Sequence, residues 1–286
     1  MTTLWLGLAS LDMMSWGVGQ VVAKKATDRL GAVTMVLLAS VLDGAAYLTL
    51  FLAFGTPLGA PWEIYAVAAL SSVVGMGGYI LYYEAMIRGS VAVVGTISAG
   101  SPVIAILGGM AFFGEAPSAT QAVGLVLLVL VVLILGYEPI GKEWKVPIAV
   151  VLSVAVLVMW GVWGLLTKVA VEAPGLGPWN ILLFYTAANV AMGPPYYLWR
   201  RKRFAPPDPS RRAYGVALLG LGLLSVGIVA VTVALSFGPV SLVSAVSGCY
   251  PVVTSIVAFA FLRERITLPR VLAIAMFVPG ILLVAF

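Results

Sequence analysis

Residues 89–115 read GSVAVVGTISAGSPVIAILGGMAFFGE, and residues 238–264 read GPVSLVSAVSGCYPVVTSIVAFAFLRE. Laid over each other without a gap, they share Gly89/Gly238, Val91/Val240, Val94/Val243, Ser98/Ser247, Pro102/Pro251, Val103/Val252, Ala111/Ala260, Phe112/Phe261 and Glu115/Glu264. Each is an apolar run rich in small residues, with a proline near its middle and an acidic residue at its close. An internal repeat decides the architecture, because each copy must build the same structural unit. The match spreads outward from this pair. In the same register Gly78 meets Gly227 and Ala85 meets Ala234, and Trp16-Gly17 followed by Lys24 recurs as Trp160-Gly161 followed by Lys168.

Composition tells what surrounds these units. Of 286 residues, 62% are hydrophobic and 9% charged, with a mean hydropathy of +1.10. A soluble domain carries about 25% charge, so lipid must be the solvent for most of this chain. The class is an all-α polytopic membrane protein. One cysteine, Cys249, excludes a disulfide framework and a cysteine-based metal cluster. There is no histidine, so zinc sites and histidine acid–base chemistry lack their usual residue. Neither metal nor cofactor is expected. The net charge of +5 sits in short loops, which is a topology signal and not a nucleic-acid surface.

Apolar windows of about 20 residues read as membrane spans. Ten are expected, near 4–23, 31–54, 62–87, 90–113, 118–136, 146–170, 177–199, 212–236, 239–262 and 267–286, with glycine, proline and charge in the gaps. The first has no basic leading segment and is not read as a signal peptide. The repeat unit is then about five spans: 1–136 and 146–286, joined by a linker at 137–145. Five is odd, so the second copy enters the membrane from the opposite side. Such inverted-topology repeats place a substrate site near the midplane, between the halves. Fifteen of the sixteen Lys and Arg residues fall in or at the edges of the gaps after spans 1, 3, 5, 7 and 9, and only Lys168 falls on the other side. The positive-inside rule puts those gaps in the cytoplasm and both termini outside.

With W-G…K in the first span of each half, and P…GE and P…RE closing the fourth, the chain resembles the drug/metabolite transporter superfamily. Within it, the chain is similar to the ten-helix EamA-type branch. The resemblance covers nearly the whole chain and rests on span count and duplication together. It implies a 5+5 inverted-repeat bundle around a central cavity, working by alternating access. It further implies export of amino acids or other small metabolites, or exchange of sugar phosphates and nucleotide sugars. Many members of the family are drawn with both termini in the cytoplasm, the reverse of the charge count here.

Ionisable groups inside spans are the first candidates, because a charge in hydrocarbon must be paired or wet. Asp12 and Asp43 lie within spans 1 and 2 and are candidate coupling residues, carrying a proton or meeting a substrate amine. Either can equally be an acid bonded to a neighbouring helix. Glu84 and Arg88 make an i,i+4 pair of structural character. Lys24 and Lys168 hold equivalent repeat positions. Lys24 reads as a side chain snorkelling to headgroups, and the role of Lys168 stays open. Candidate substrate-binding residues are Trp16, Gln20, Tyr79, Tyr82, Ser98, Ser101, Trp163, Tyr185, Ser244 and Tyr250, whose rings and polar tips can pack and orient a ligand. Simple packing between helices competes with that reading at each position. Trp160, Tyr83, Asn189 and Ser247 belong to the same interior set. Pro102 and Pro251 each remove a helix hydrogen bond and are expected to kink their spans, as matched hinges or as static bends. Glu115 and Glu264 are expected to cap the next helix or to pair with a loop residue such as Arg265.

The function that fits is a secondary transporter in the cytoplasmic membrane, exporting a small metabolite. An amino acid leads, with aromatic or bulky apolar side chains favoured, because few basic residues are available inside the bundle for an anion. A sugar-phosphate, nucleotide-sugar or drug transporter of the same fold is the alternative. No GxxxxGK[ST] phosphate loop occurs, so the chain carries no ATPase of its own. No nucleophile–base pair supports an intramembrane enzyme, and no ring of charge supports a passive channel. Partners are therefore a small-molecule substrate and the bilayer, without nucleic acid. Ten spans suffice to close a cavity as a monomer, with a dimer also open.

Overall fold

The computed structural model describes residues 3–88, 91–136, 148–203, 210–262 and 268–285. Helices account for almost all of them: α1 (Leu4–Leu30), α2 (Ala32–Phe54), α3 (Trp62–Arg88), α4 (Val91–Ser98), α5 (Ser101–Phe112), α6 (Ala119–Gly136), α7 (Ile148–Glu172), α8 (Gly177–Arg200), α9 (Arg211–Leu235), α10 (Val240–Ser247), α11 (Tyr250–Leu262) and α12 (Leu268–Ala285). No strand occurs among the described residues. In hydrocarbon a helix satisfies its backbone groups internally, which leaves it and the closed β-barrel as the elements that can span a membrane. The linker 137–145 and Glu264, with the basic residues Lys142, Lys145, Arg263 and Arg265, lie outside the described residues.

Twelve helices make ten crossings, five in each half, because the fourth and ninth crossings are each divided. The expected prolines do not kink continuous spans. The helix stops at Ala99–Gly100 and restarts at Ser101, and stops again at Gly248–Cys249 and restarts at Tyr250. Pro102 and Pro251 are the second residues of α5 and α11. A proline in the first turn lacks an N–H that would have had no helical partner, so it starts a helix without loss. The two restarts meet, since a Cβ on Gly248 would collide with the Pro102 ring.

The halves are tied by a pseudo-twofold packing. α1 packs on α9 as α7 packs on α3, and α1 contacts α11 as α7 contacts α5. α2 with α8, and α6 with α12, pair across the axis. The repeated residues explain this. Trp16 of α1 lies against Gly227 of α9, and Trp160 of α7 lies against Gly78 of α3. Gly17 sits on Val253 and the Tyr250 carbonyl, while Gly161 sits on Ile104 and the Ser101 carbonyl. Glycine lets the helices approach closely where hydrophobic pressure between them is absent. Gly31, at φ 76°, turns the chain from α1 to α2 within one residue.

Charged side chains bind the ends of the bundle. At one end, Glu84 of α3 accepts from Arg200 Nε at 2.8 Å, from Arg200 NH2 at 2.9 Å and from Tyr196 OH at 2.7 Å, and it also pairs with Arg88. Arg200 is 7% exposed and lies 5.1 Å over the Trp199 ring. The expected Glu84–Arg88 pair is thus one edge of a network linking α3 to α8. At the other end, Lys168 donates to the carbonyls of Leu235 (2.8 Å) and Gly238 (2.7 Å) and pairs with Glu172 at 2.6 Å. It caps the C-terminus of α9, where a cation is favoured. Glu115 caps α10 in the other half and not the helix that follows it, accepting from Val240 N at 2.6 Å and Ser241 N at 2.9 Å. Thr56 and Asn180 bond reciprocally between the end of α2 and the start of α8. Lys24 is exposed. Outward-facing apolar side chains such as Leu52, Phe112, Trp62 and Trp199 are more than 70% exposed. Such a surface suits lipid.

Candidate functional site

Between the halves lies a cavity of about 160 Å³, room for on the order of ten water molecules. α1, α2, α3, α7, α8 and α9 wall it, and both helix restarts contribute their first residues. Of the sequence-derived candidates, Asp12, Trp16, Asp43, Tyr79, Ser101, Trp163, Tyr185, Ser244 and Tyr250 line it, as does Pro102. Gln20, Tyr82, Ser98 and Pro251 do not. Tyr82 turns its ring onto Trp160 (5.4 Å between centroids) and its hydroxyl towards Gly95. Ser98 is fully buried and donates to the Val94 carbonyl at 2.8 Å. Gln20 stands beside Tyr250, one shell behind the cavity.

The lining has two sides. α3 contributes Ser72, Gly75, Met76 and Tyr79, whereas α9 contributes Leu221, Leu224, Ile228, Val231 and Leu235. Among the described residues, seven aromatic ones line the space, and no Lys or Arg does. A row of rings crosses it: Tyr250 to Trp16 at 5.8 Å, Trp16 to Trp160 at 5.8 Å edge to face, and Trp160 to Tyr82 at 5.4 Å. Tyr185 is held from behind by a hydroxyl chain, with Thr167 at 2.9 Å and Ser71 a further 2.8 Å on. Its ring meets Tyr47 at 5.9 Å and Trp163 at 6.3 Å.

The two carboxyl groups differ in company. Asp43 accepts from the Ser225 hydroxyl and faces Tyr47, Tyr79 and Tyr83. Asp12 stacks on Gly227 beside Trp16, and its Oδ1 has no hydrogen-bond partner. The same holds for Ser247 Oγ, Tyr250 OH and Asn189 Oδ1, all on cavity-lining residues. Ser247 approaches Asp12, and Gln20 approaches Tyr250, without the geometry of a hydrogen bond. Buried polar atoms normally find partners, so a cluster of unpartnered ones around one cavity points to a ligand or water that completes them. No cluster of three metal-ligating side chains occurs among the described residues.

Several lining residues were missed by the sequence reading. Tyr47, Ser72, Met76 and the aliphatic row on α9 carry no individual signal. The repeat held one: Leu221, Leu224 and Ile228 stand 149 positions after Ser72, Gly75 and Tyr79, the same shift that relates residues 89–115 to 238–264. Trp160 is the counterpart of Trp16 and lines the cavity with it.

A family model described as the EamA-like transporter family matches residues 3–137 and again 147–286. A protein of known crystal structure is similar in fold over 99% of this chain and 98% of its own, with a TM-score of 0.79 and 18% sequence identity. No curated protein matches in sequence. The chain belongs to the EamA-like transporter family.

Proposed function

We propose that this EamA-like transporter is a secondary carrier that exports an amphipathic amino acid, with an aromatic or bulky apolar side chain, across the cytoplasmic membrane by alternating access. One observation carries the reading: among the described residues, the cavity between the halves combines two carboxyls and seven aromatic rings with an aliphatic wall and no basic residue. A sugar phosphate would meet like charge there and no cation to hold it. An amine finds a carboxylate, and an apolar side chain finds Leu224, Ile228 and Val231. The carboxylate of an amino acid is served by the positive ends of α5 and α11, which begin at the cavity, as broken helices do at the sites of other transporters. A proton on Asp12 or Asp43, or the substrate gradient alone, supplies the driving force.

The divided fourth and ninth crossings support alternating access. Two breaks in contact, Gly248 on Pro102, form a joint about which one half can rock against the other, with Pro102 and Pro251 as its hinge residues. The basic end, with Arg88 and Arg200, faces the cytoplasm in this reading, which puts both termini outside.

Counterflow into proteoliposomes tests the proposal. Unlabelled phenylalanine or leucine inside should draw labelled substrate in with saturable kinetics, and Asp43→Asn should change the pH dependence of that flux. Competition by sugar phosphates, with amino acids inert, would overturn the substrate class. Non-saturable flux would overturn the carrier mechanism.

A further inference from the structure

We infer that Asp12, Ser247 and Tyr250 form the subsite for the substrate's ammonium group, and that Asp43 lies outside it. The inference rests on the transporter reading above and divides two carboxyls that the sequence leaves equivalent. An ammonium group presents three N–H donors. Three unpartnered oxygens, Asp12 Oδ1, Ser247 Oγ and Tyr250 OH, gather at one side of the cavity. Asp12 is 5% exposed and Ser247 8%, so bulk water does not satisfy them. They come from α1 and from the α10–α11 break, one element of each half. A ligand here therefore bridges the halves.

The surroundings suit an organic amine better than a bare metal ion. Trp16, one helical turn on from Asp12, lines the cavity with it, its ring 5.8 Å from that of Tyr250. An indole face attracts an ammonium and also packs the carbon next to it. Beyond Gly227, against which Asp12 and Trp16 rest, α9 continues the wall as Leu224, Ile228 and Val231. The space of about 160 Å³ takes the apolar body of a ligand whose amine is fixed at one end. Asp43 has a different arrangement. Its Oδ1 already accepts from the Ser225 hydroxyl, and its side chain is less buried than that of Asp12.

The test compares three probes of one size on the purified protein: phenethylamine, phenylalanine and 3-phenylpropionate. Binding is read by melting temperature and by quenching of tryptophan fluorescence, with Trp16 at the subsite. Phenethylamine and phenylalanine should bind, and 3-phenylpropionate should bind at least tenfold more weakly. Asp12→Asn should weaken both amines at least tenfold and Ser247→Ala about threefold, the Asp12→Asn loss exceeding that of Asp43→Asn, while Glu115→Ala, outside the cavity lining, keeps them within threefold. The melt of each ligand-free variant reports its folding. If Asp12→Asn does not fold, Ser247→Ala and Tyr250→Phe decide, and unchanged amine affinity in both overturns the subsite. Tight binding of 3-phenylpropionate, or stabilisation by sodium alone, also overturns it. Amino-acid counterflow that persists in Asp12→Asn with unchanged affinity sinks the subsite and leaves the carrier standing. Absence of both binding and counterflow in the parent protein sinks both.

Discussion

Trp16 and Trp160 occupy matching places in the two halves, and so do their partners, Gly227 and Gly78. Gly17 and Gly161 likewise rest on matching residues, Val253 and Ile104. The cavity walls behave otherwise. Ser72, Gly75 and Tyr79 of α3 stand where α9 has Leu221, Leu224 and Ile228, and Asp12 of α1 stands where α7 has Val156. Contacts that hold helices together repeat; of the side chains that face the cavity, Trp16 and Trp160 repeat, but the α3 and α9 walls and Asp12 do not. A twofold assembly needs the same notch twice. A substrate with a polar end and an apolar end needs unlike chemistry on its two sides.

The largest break in the symmetry is the ion-pair network. Glu84 has Val233 as its counterpart, so only one half ties its third crossing to Arg200. Glu84→Ala should cost about 3–5 kcal/mol, because Arg200 is left buried with its main partner gone. Val233→Ala should cost roughly 1 kcal/mol, a typical single-site loss. Unfolding in detergent, followed by tryptophan fluorescence, compares the two. Equal losses would show that the network has no role in holding α3 to α8.

The notches sharpen the opposite side of the comparison. A Cβ at Gly78 would lie 2.8 Å from the Trp160 indole, and one at Gly227 would lie 2.6 Å from Asp12 and collide with Trp16. Gly78→Ala and Gly227→Ala should each cost about 1–3 kcal/mol through overpacking. Their losses should agree within about 1 kcal/mol if the notches are equivalent, since independent sites of like environment behave alike. A clear mismatch in the two melts would mean that only one notch is tightly packed.

Glu115→Ala should come next, at about 1 kcal/mol, the usual cost of losing a helix cap. The melt should fall while ligand affinity stays put, because Glu115 lies at the α10 start and outside the cavity lining. The smallest stability effect should come from Tyr79→Phe. It removes one weak hydroxyl pair, Tyr79 to Tyr83 at 3.3 Å, worth about 0.5 kcal/mol. Its effect on substrate Kd should exceed its effect on the melt. If the melt moves more than the affinity, Tyr79 belongs to the framework and not to the polar wall.

Legibility followed the same division. The Trp–Gly pairs and the twin prolines could be read from residues alone, because each appears twice at fixed spacing. Whether a proline bends a helix or begins one could not, because the sequence pattern of the two is identical. Tyr82, Ser98 and Gln20 carried suitable chemistry but face other helices. In spans apolar on every side, little in the pattern says which face turns inward. Lys168 and Glu115 were visible as charges, yet their partners, Leu235, Gly238, Val240 and Ser241, are backbone groups 67 to 126 positions away. The aliphatic face of α9 was unreadable as cavity lining, since leucine and isoleucine serve lipid, core and ligand equally well.

By itself the sequence determined the solvent, the element type and the duplication. Those follow from composition, from the need to satisfy backbone groups in lipid, and from the repeated text. Only the tertiary structure decided which side of each helix meets the cavity and which of two acids within the spans is the more deeply buried. Helix rotation and pairing are set by small-residue notches on other helices, and those contacts join residues that the chain itself keeps far apart.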